Sequence, residues 1–189
     1  RNRKMNAPTT IKTILNMQGN SINAELLDAF PDIDTRMTAS AFEQAKDKLK
    51  PKVFEHILNE YNKTMVPTLF KDKYRLFAID GSDFTTPYNP DSKYVMQGQK
   101  RKRLDGEDVK PFCQIHSNIL YDIQNRTYED CVFQPKMQMD ERTAALTMLK
   151  RLDTNNTPYI VTMDRGYDGF NMIENCNRLP NCNYVIRVK

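Results

Sequence analysis

The sequence lacks the long apolar runs, paired cysteines and strong charge bias that would assign a protein class at once. No apolar run approaches the roughly 20 residues that a membrane-spanning helix needs, which argues against an integral membrane protein. The four cysteines, Cys113, Cys131, Cys176 and Cys182, show no C-x-x-C spacing, so a zinc site is not expected. The first residues show no secretory signal pattern. We therefore expect reduced thiols in a soluble intracellular protein.

The length and charge of the chain leave room for an enzyme or for a binding protein. With 189 residues the chain can form one large domain or two small ones around a sizeable core. Its 28 basic and 24 acidic residues give a formal charge of +4. This mild bias is compatible with nucleic-acid binding but does not require it. The chain starts at Arg1 rather than at methionine, so we expect a fragment of a longer protein.

Residues 1–70 show the apolar spacing of four short helices, which predicts a small all-α region. The residues expected to start or end these helices are Gly19, Ser21, Pro31, the capping-box pair Ser40 and Glu43, and Pro51. Scattered lysines on the helices leave two interpretations open. The region is either a helix-turn-helix module that binds DNA or a packed helical cap whose lysines only face water.

From Tyr74 onward the pattern changes to strands, and we treat residues 71–189 as a second domain. Five strands are predicted, at 76–80, 112–121, 128–133, 159–163 and 184–188. Two helices, capped by Asp140 and Asp168, are predicted between the later strands. The order β-β-β-α-β-α-β is that of a ribonuclease-H-like α/β fold, with a mixed five-stranded sheet flanked by helices. In that fold the first and fourth strands are parallel neighbours.

Two of the predicted strands end in an aspartate that lies just before a glycine. The first ends at Asp80 with a sharp turn expected at Gly81, and the fourth leads into Asp164. If these strands are parallel neighbours, the two carboxylates lie side by side and repel unless a cation or proton lies between them. Mg²⁺ or Mn²⁺ suits such oxygen ligands. The alternative is that both are ordinary turn residues.

A long polar segment, 83–109, separates the first two predicted strands. A loop of that length is uncommon in a compact domain unless it is functional or mobile. It carries four adjacent cations, Lys100, Arg101, Lys102 and Arg103, which can neutralise several phosphates. We favour contact with nucleic acid over a merely solvated surface turn.

With these motifs in view, the chain resembles bacterial insertion-sequence transposases of the DDE (Asp-Asp-Glu) type. It most resembles the group with a β-rich insertion before the final Glu. Four segments carry the resemblance, and these are Ala-Ile-Asp-Gly-Ser at 78–82, Asp-Arg-Gly-Tyr-Asp-Gly at 164–169, the strand at 184–189 and the helical segment at 40–49. The resemblance covers nearly the whole chain in order.

The resemblance implies metal-dependent cleavage and strand transfer of double-stranded transposon-end DNA. In that role Asp80 and Asp164 would hold Mg²⁺ or Mn²⁺. Lesser candidates for contact with DNA near the cleaved end are Arg165, Tyr167, Arg187 and Lys189. The alternatives are that Tyr167 only packs and that Arg187 and Lys189 only add solubility at a strand end. The family also implies a homodimer in the complex that joins two ends, and a cytoplasmic, nucleoid-associated location in a bacterium.

The third carboxylate of such enzymes, a Glu beyond the insertion, has no counterpart before Lys189. Glu174 is a poor substitute, because it lies on a helix whose apolar face is already used. We therefore expect this part alone to be catalytically incompetent. Two other functions stay open, namely a non-catalytic DNA-binding remnant and another ribonuclease-H-like nuclease.

Overall fold

The computed structural model describes residues 6–96 and 110–188. The backbone separates into two compact units, one ending at Ile57 and the other starting at Leu58. The domain boundary expected at residue 70 stays a prediction, since compactness alone does not define a folding domain. The cations at 100–103 and Lys189 lie outside the described residues, and so their predicted contacts with DNA remain predictions.

Four helices make up the N-terminal part, as the sequence predicted. They are α1 (Ala7–Asn16), α2 (Ile22–Ala29), α3 (Ala39–Lys46) and α4 (Lys52–Thr64). Ser21 caps α2 by accepting a hydrogen bond from the Ala24 N–H. The capping box predicted at Ser40 is wrong, because Thr38 caps α3 by accepting from the Ala41 N–H at 3.2 Å. Ser40 lies inside the helix.

The second unit is built on one mixed sheet flanked by helices, which confirms the predicted fold class. The strands are β1 (Arg75–Thr86), β2 (Cys113–Asp122), β3 (Thr127–Pro135), β4 (Tyr159–Met163) and β5 (Cys182–Ile186). Their spatial order is β3-β2-β1-β4-β5. β1 pairs antiparallel to β2 and parallel to β4, and β4 pairs parallel to β5. Two helices, α5 (Glu141–Arg151) and α6 (Phe170–Arg178), complete the unit.

Three local predictions in this unit need correction. β1 does not turn at Gly81 but runs on to Thr86, because β2 pairs with it over the whole extension. β5 begins two residues earlier than predicted, at Cys182. The N-cap of α6 is Gly169 rather than Asp168, and no side chain caps that helix.

The core lies where β1 and β4 contact α5 and α6. Alternate residues of the two strands are buried, as expected for one covered face of a sheet. They join a single cluster with buried residues of both helices, such as Met148 of α5 and Met172 of α6. Within the described ranges, no helix combines the length and apolar character needed to cross a bilayer.

Candidate metal centre

Three neighbouring strands reach one row where β4 and β5 end, while β1 continues beyond it to Thr86. In the parallel register this row is Ile79, Met163 and Ile186. The next residues along the three strands are Asp80, Asp164 and Arg187. Because adjacent strands lie about 4.8 Å apart, the two aspartates are direct neighbours. The parallel β1–β4 pair that the sequence predicted is therefore present, and Arg187 follows β5 at the same edge.

Each aspartate uses one carboxylate oxygen to hold its own backbone. The Gly81 N–H donates to Asp80 Oδ1 at 2.8 Å, and the Gly166 N–H donates to Asp164 Oδ1 at 2.7 Å. Both residues are exposed. Within the part of the chain that the structure describes, neither carboxylate forms an ion pair. One oxygen of each is thus free to bind a cation.

The turn after Asp164 is held by Arg142, in the first turn of α5. Its Nε donates to the Gly166 carbonyl at 3.0 Å, and its Nη2 donates to the Asp168 carbonyl at 2.9 Å. A Cβ at Gly169 would lie 3.2 Å from Nη1 of the same guanidinium. Arg142 therefore holds the backbone of the 165–168 turn, which directly follows Asp164.

The neighbouring residue, Glu141, lies against the other aspartate motif. A Cβ at Gly81 would lie 2.8 Å from Glu141 Oε1 and 2.7 Å from His116 Nε2. His116 is 2% exposed, and its Nδ1 lies 2.7 Å from Asp83 Oδ1. Gly81 is thus required because a side chain would not fit there. Its backbone conformation does not require glycine, since its φ is not positive.

A chain of polar side-chain contacts supports this side of the site. Lys136 Nζ lies 2.7 Å from Asp83 Oδ2, and His116 Nε2 lies 3.1 Å from Glu141 Oε1. Burial acts to raise the pKa of Asp83, but hydrogen bonds from Lys136 and His116 outweigh it. The pKa of Asp83 therefore lies below its usual value, and the residue stays ionised to hold His116.

Tyr167 lies beneath the two aspartate motifs, in the short 3-10 turn that follows Asp164. It is 1% exposed, and its hydroxyl has no hydrogen-bond partner. Burial is the main reason that the pKa of Tyr167 is raised. The negative charges of Glu141, Asp80 and Asp164 add to this rise, so all three carboxylates act on the same hydroxyl.

The donor set fits a hard divalent cation. Two exposed carboxylates with free oxygens are ligands that Mg²⁺ and Mn²⁺ prefer, and the buried Tyr167 hydroxyl has no protein partner. Among the described residues, no three His, Cys, Asp or Glu side chains already form a metal-binding group. The aspartate pair can therefore supply two ligands and leaves other positions of an ion open to water and substrate.

The other candidate residues named from the sequence differ in their exposure to solvent. Arg165 and Arg187 are exposed beside the aspartates. Tyr167 is fully buried, so its proposed contact with DNA does not agree with the structure. Glu174 is exposed and paired with Arg178 at 2.7 Å, which supports its rejection as a third carboxylate.

Sequence reasoning missed Glu141, Arg142 and His116. Glu141 and Arg142 follow the helix cap Asp140, where charged residues are common for reasons of helix stability alone. His116 lies in the middle of a buried strand, where it resembles a core residue. The start of α5 brings Glu141 to β1 and Arg142 to the 165–168 turn. The pairing of β2 with β1 places His116 opposite Asp83.

The comparisons with known proteins address the same part of the chain. The model of a protein family described as "Transposase DDE domain" matches residues 71–189. The matched range contains β1 to β5 with both aspartate motifs. The search of curated proteins gives no match.

Proposed function

Because this chain belongs to the transposase DDE domain family, we propose that it serves divalent-metal-dependent cleavage and strand transfer of transposon-end DNA. The observation that carries the proposal is the parallel pairing of Ile79 with Met163, which are followed directly by Asp80 and Asp164. Both carboxylates are exposed at one edge and free of ion pairs in the described part of the chain. Because like charges repel, a cation bound between two such carboxylates relieves their repulsion.

In this proposal the aspartates act as metal ligands and not as nucleophiles. Each keeps one oxygen on its backbone N–H and offers the other to Mg²⁺ or Mn²⁺. When bound, such ions activate an attacking water or hydroxyl and stabilise the leaving oxygen of a phosphodiester. Arg142 keeps the 165–168 turn in place, so that Asp164 meets the ion in a fixed orientation.

The substrate of the proposed reaction is double-stranded DNA. Arg165 and Arg187 place two exposed cations beside the acidic pair, where a phosphate group would lie. The four cations at 100–103 follow in the connection between β1 and β2 and would add further phosphate contacts. Joining two transposon ends requires two such centres, and a homodimer is therefore part of the proposal.

Metal titration of the chain tests the proposal directly. Asp80→Asn and Asp164→Asn should each weaken Mn²⁺ binding by more than tenfold in calorimetry, a loss of about 1.4 kcal/mol. Asp153→Asn is the matched control, because Asp153 also accepts from the backbone N–H two residues later, at 2.9 Å. Equal Mn²⁺ affinity in all four proteins would contradict the proposal.

A DNA measurement separates this function from other nucleases of the same fold. Binding of duplex DNA in Mn²⁺ should fall steeply with salt, and Arg187→Ala should reduce the slope by about one phosphate contact. Preference for an RNA–DNA hybrid over duplex DNA would instead favour a nuclease of another kind.

A further inference from the structure

Two buried polar atoms near the aspartates form no hydrogen bond within the protein, although one of them lies close to a carboxylate. They are the hydroxyl of Tyr167 and Nε2 of His116, in side chains that are 1% and 2% exposed. Leaving a buried polar group unsatisfied costs about 1–3 kcal/mol, so such groups usually contact water or a ligand. Glu141 lies close to His116 Nε2, and its charge acts on the Tyr167 hydroxyl.

Glu141 lies between these groups and the first aspartate. Its Oε1 lies 3.1 Å from His116 Nε2, although the two atoms do not have the geometry of a hydrogen bond. The same oxygen also lies close to Gly81, the residue next to Asp80. Its charge also acts on the Tyr167 hydroxyl together with those of the two aspartates. The side chain is one-third exposed, so the carboxylate is open to solvent on one side.

The distances do not make Glu141 a direct ligand. Within the described residues, three acidic or histidine side chains do not close on a single ion. Mg²⁺ releases its waters reluctantly and keeps several of them when only one or two carboxylates bind it. Those waters need hydrogen-bond acceptors, and outer-shell groups of this kind affect metal affinity strongly.

We propose that Glu141 is an outer-shell acid of this centre, which holds the water shell of the ion bound by Asp80 and Asp164. This inference rests on the proposed metal function. In it, Glu141 accepts hydrogen bonds from metal-bound waters, and the Tyr167 hydroxyl is the neighbouring group that completes the water network. His116 keeps Glu141 in place through its contact with Asp83 on the opposite side of the ring.

Titration with two cations tests this role. With Mn²⁺, Glu141→Gln should lower the affinity by about tenfold, as is typical when an outer-shell partner is removed. Cobalt hexammine, which keeps its ammine shell and binds only through outer-shell contacts, should lose affinity for Glu141→Gln by a similar factor. Glu174→Gln is the matched control, because that carboxylate lies on exposed α6 and is paired with Arg178.

Two further variants separate a specific contact from a general loss of charge. Glu141→Asp keeps the charge but shortens the side chain, and we expect it to weaken both cations. Tyr167→Phe removes only the hydroxyl and should weaken cobalt hexammine more than Mn²⁺. Thermal unfolding of each variant without metal shows whether the fold is retained.

The outcomes distinguish the outer-shell role of Glu141 from metal binding by the two aspartates. Unchanged affinities for Glu141→Gln, with weakened Mn²⁺ binding by Asp80→Asn, overturn the outer-shell role and leave the metal proposal standing. Wild-type affinities in Glu141→Asp also overturn it, because a distant charge would then be sufficient. Unchanged Mn²⁺ binding by Asp80→Asn and Asp164→Asn overturns both.

Discussion

At the scale of single residues, Gly81 shows how a small side chain can be required by space alone. Its backbone is extended, and an Ala could adopt the same conformation. A Cβ, however, would lie 2.7 Å from His116 Nε2 and 2.8 Å from Glu141 Oε1. His116 is buried and cannot retreat without losing its contact with Asp83.

We expect Gly81→Ala to lower the free energy of unfolding by about 1–3 kcal/mol, the usual cost of overpacking. Urea denaturation measures the change. Ser82→Ala, at the next and exposed position of β1, is the control and should stay within about 0.5 kcal/mol of wild type. A Gly81→Ala protein as stable as wild type would show that the Glu141 contact is loose.

At the scale of elements, the start of α5 connects both aspartate motifs. Asp140 caps the helix by accepting from the Thr143 N–H at 3.0 Å and from the Thr143 hydroxyl at 2.7 Å. The next two residues, Glu141 and Arg142, then reach β1 and the 165–168 turn respectively. A weakened cap would therefore affect both sides of the site.

Asp140→Ala should cost about 1 kcal/mol of stability at pH 7, as is usual for loss of an N-cap. Hydrogen bonds from the Thr143 backbone and side chain hold the pKa of Asp140 below its usual value. A depressed pKa in the folded state stabilises the fold above the unfolded pKa, and this contribution is lost as the pH falls through the folded pKa.

Urea denaturation at pH 7 and pH 3 checks this dependence. The difference between wild type and Asp140→Ala should shrink at the lower pH, where the carboxylate becomes protonated. Asp140→Asn keeps a capping oxygen without the charge, so its stability relative to Ala should not depend on pH in this range. If the difference in unfolding free energy between wild type and Asp140→Ala is equal at both pH values, the lowered pKa of Asp140 is contradicted.

Most elements could be predicted because their signals are local. The apolar runs before Asp80 and Asp164 specified β1 and β4, and Asp140 specified the start of α5. The errors arose where a local signal was overruled by pairing. Gly81 resembled a turn residue, but β2 pairs past it to Thr86. The pair of aspartates was predictable from fold order, whereas Glu141 and His116 reach the site only through contacts between distant segments.

At the scale of the whole second unit, the start and the middle of β1 have different roles. Arg75 begins the strand, and its Nη2 donates to Asp122 Oδ2 at 2.7 Å and also contacts Glu129. Asp122 is fully buried, and Arg75 is its ion-pair partner. Asp80 lies five residues further on, about 17 Å away along the strand. The start of the strand thus secures the sheet, and its middle presents Asp80, one of the two candidate metal ligands.

This separation predicts independent effects on stability and on metal binding. Arg75→Ala should lower the free energy of unfolding by about 3 kcal/mol, because it leaves Asp122 buried without its partner. Mn²⁺ affinity of the folded protein should stay unchanged. Asp80→Asn should weaken Mn²⁺ binding, because it removes a metal ligand. It should not lower the free energy of unfolding, because it also removes repulsion from Asp164.

The double variant gives the decisive measurement. Sites more than about 10 Å apart without shared partners usually have additive effects, within about 0.5 kcal/mol. Urea denaturation of Arg75→Ala, Asp80→Asn and their combination should therefore show additive changes in stability. Arg75→Lys, which keeps the charge but loses the forked geometry, provides a milder form of the same test. A coupling above about 1 kcal/mol would mean that the salt bridge at the start of β1 sets the geometry of Asp80 in its middle.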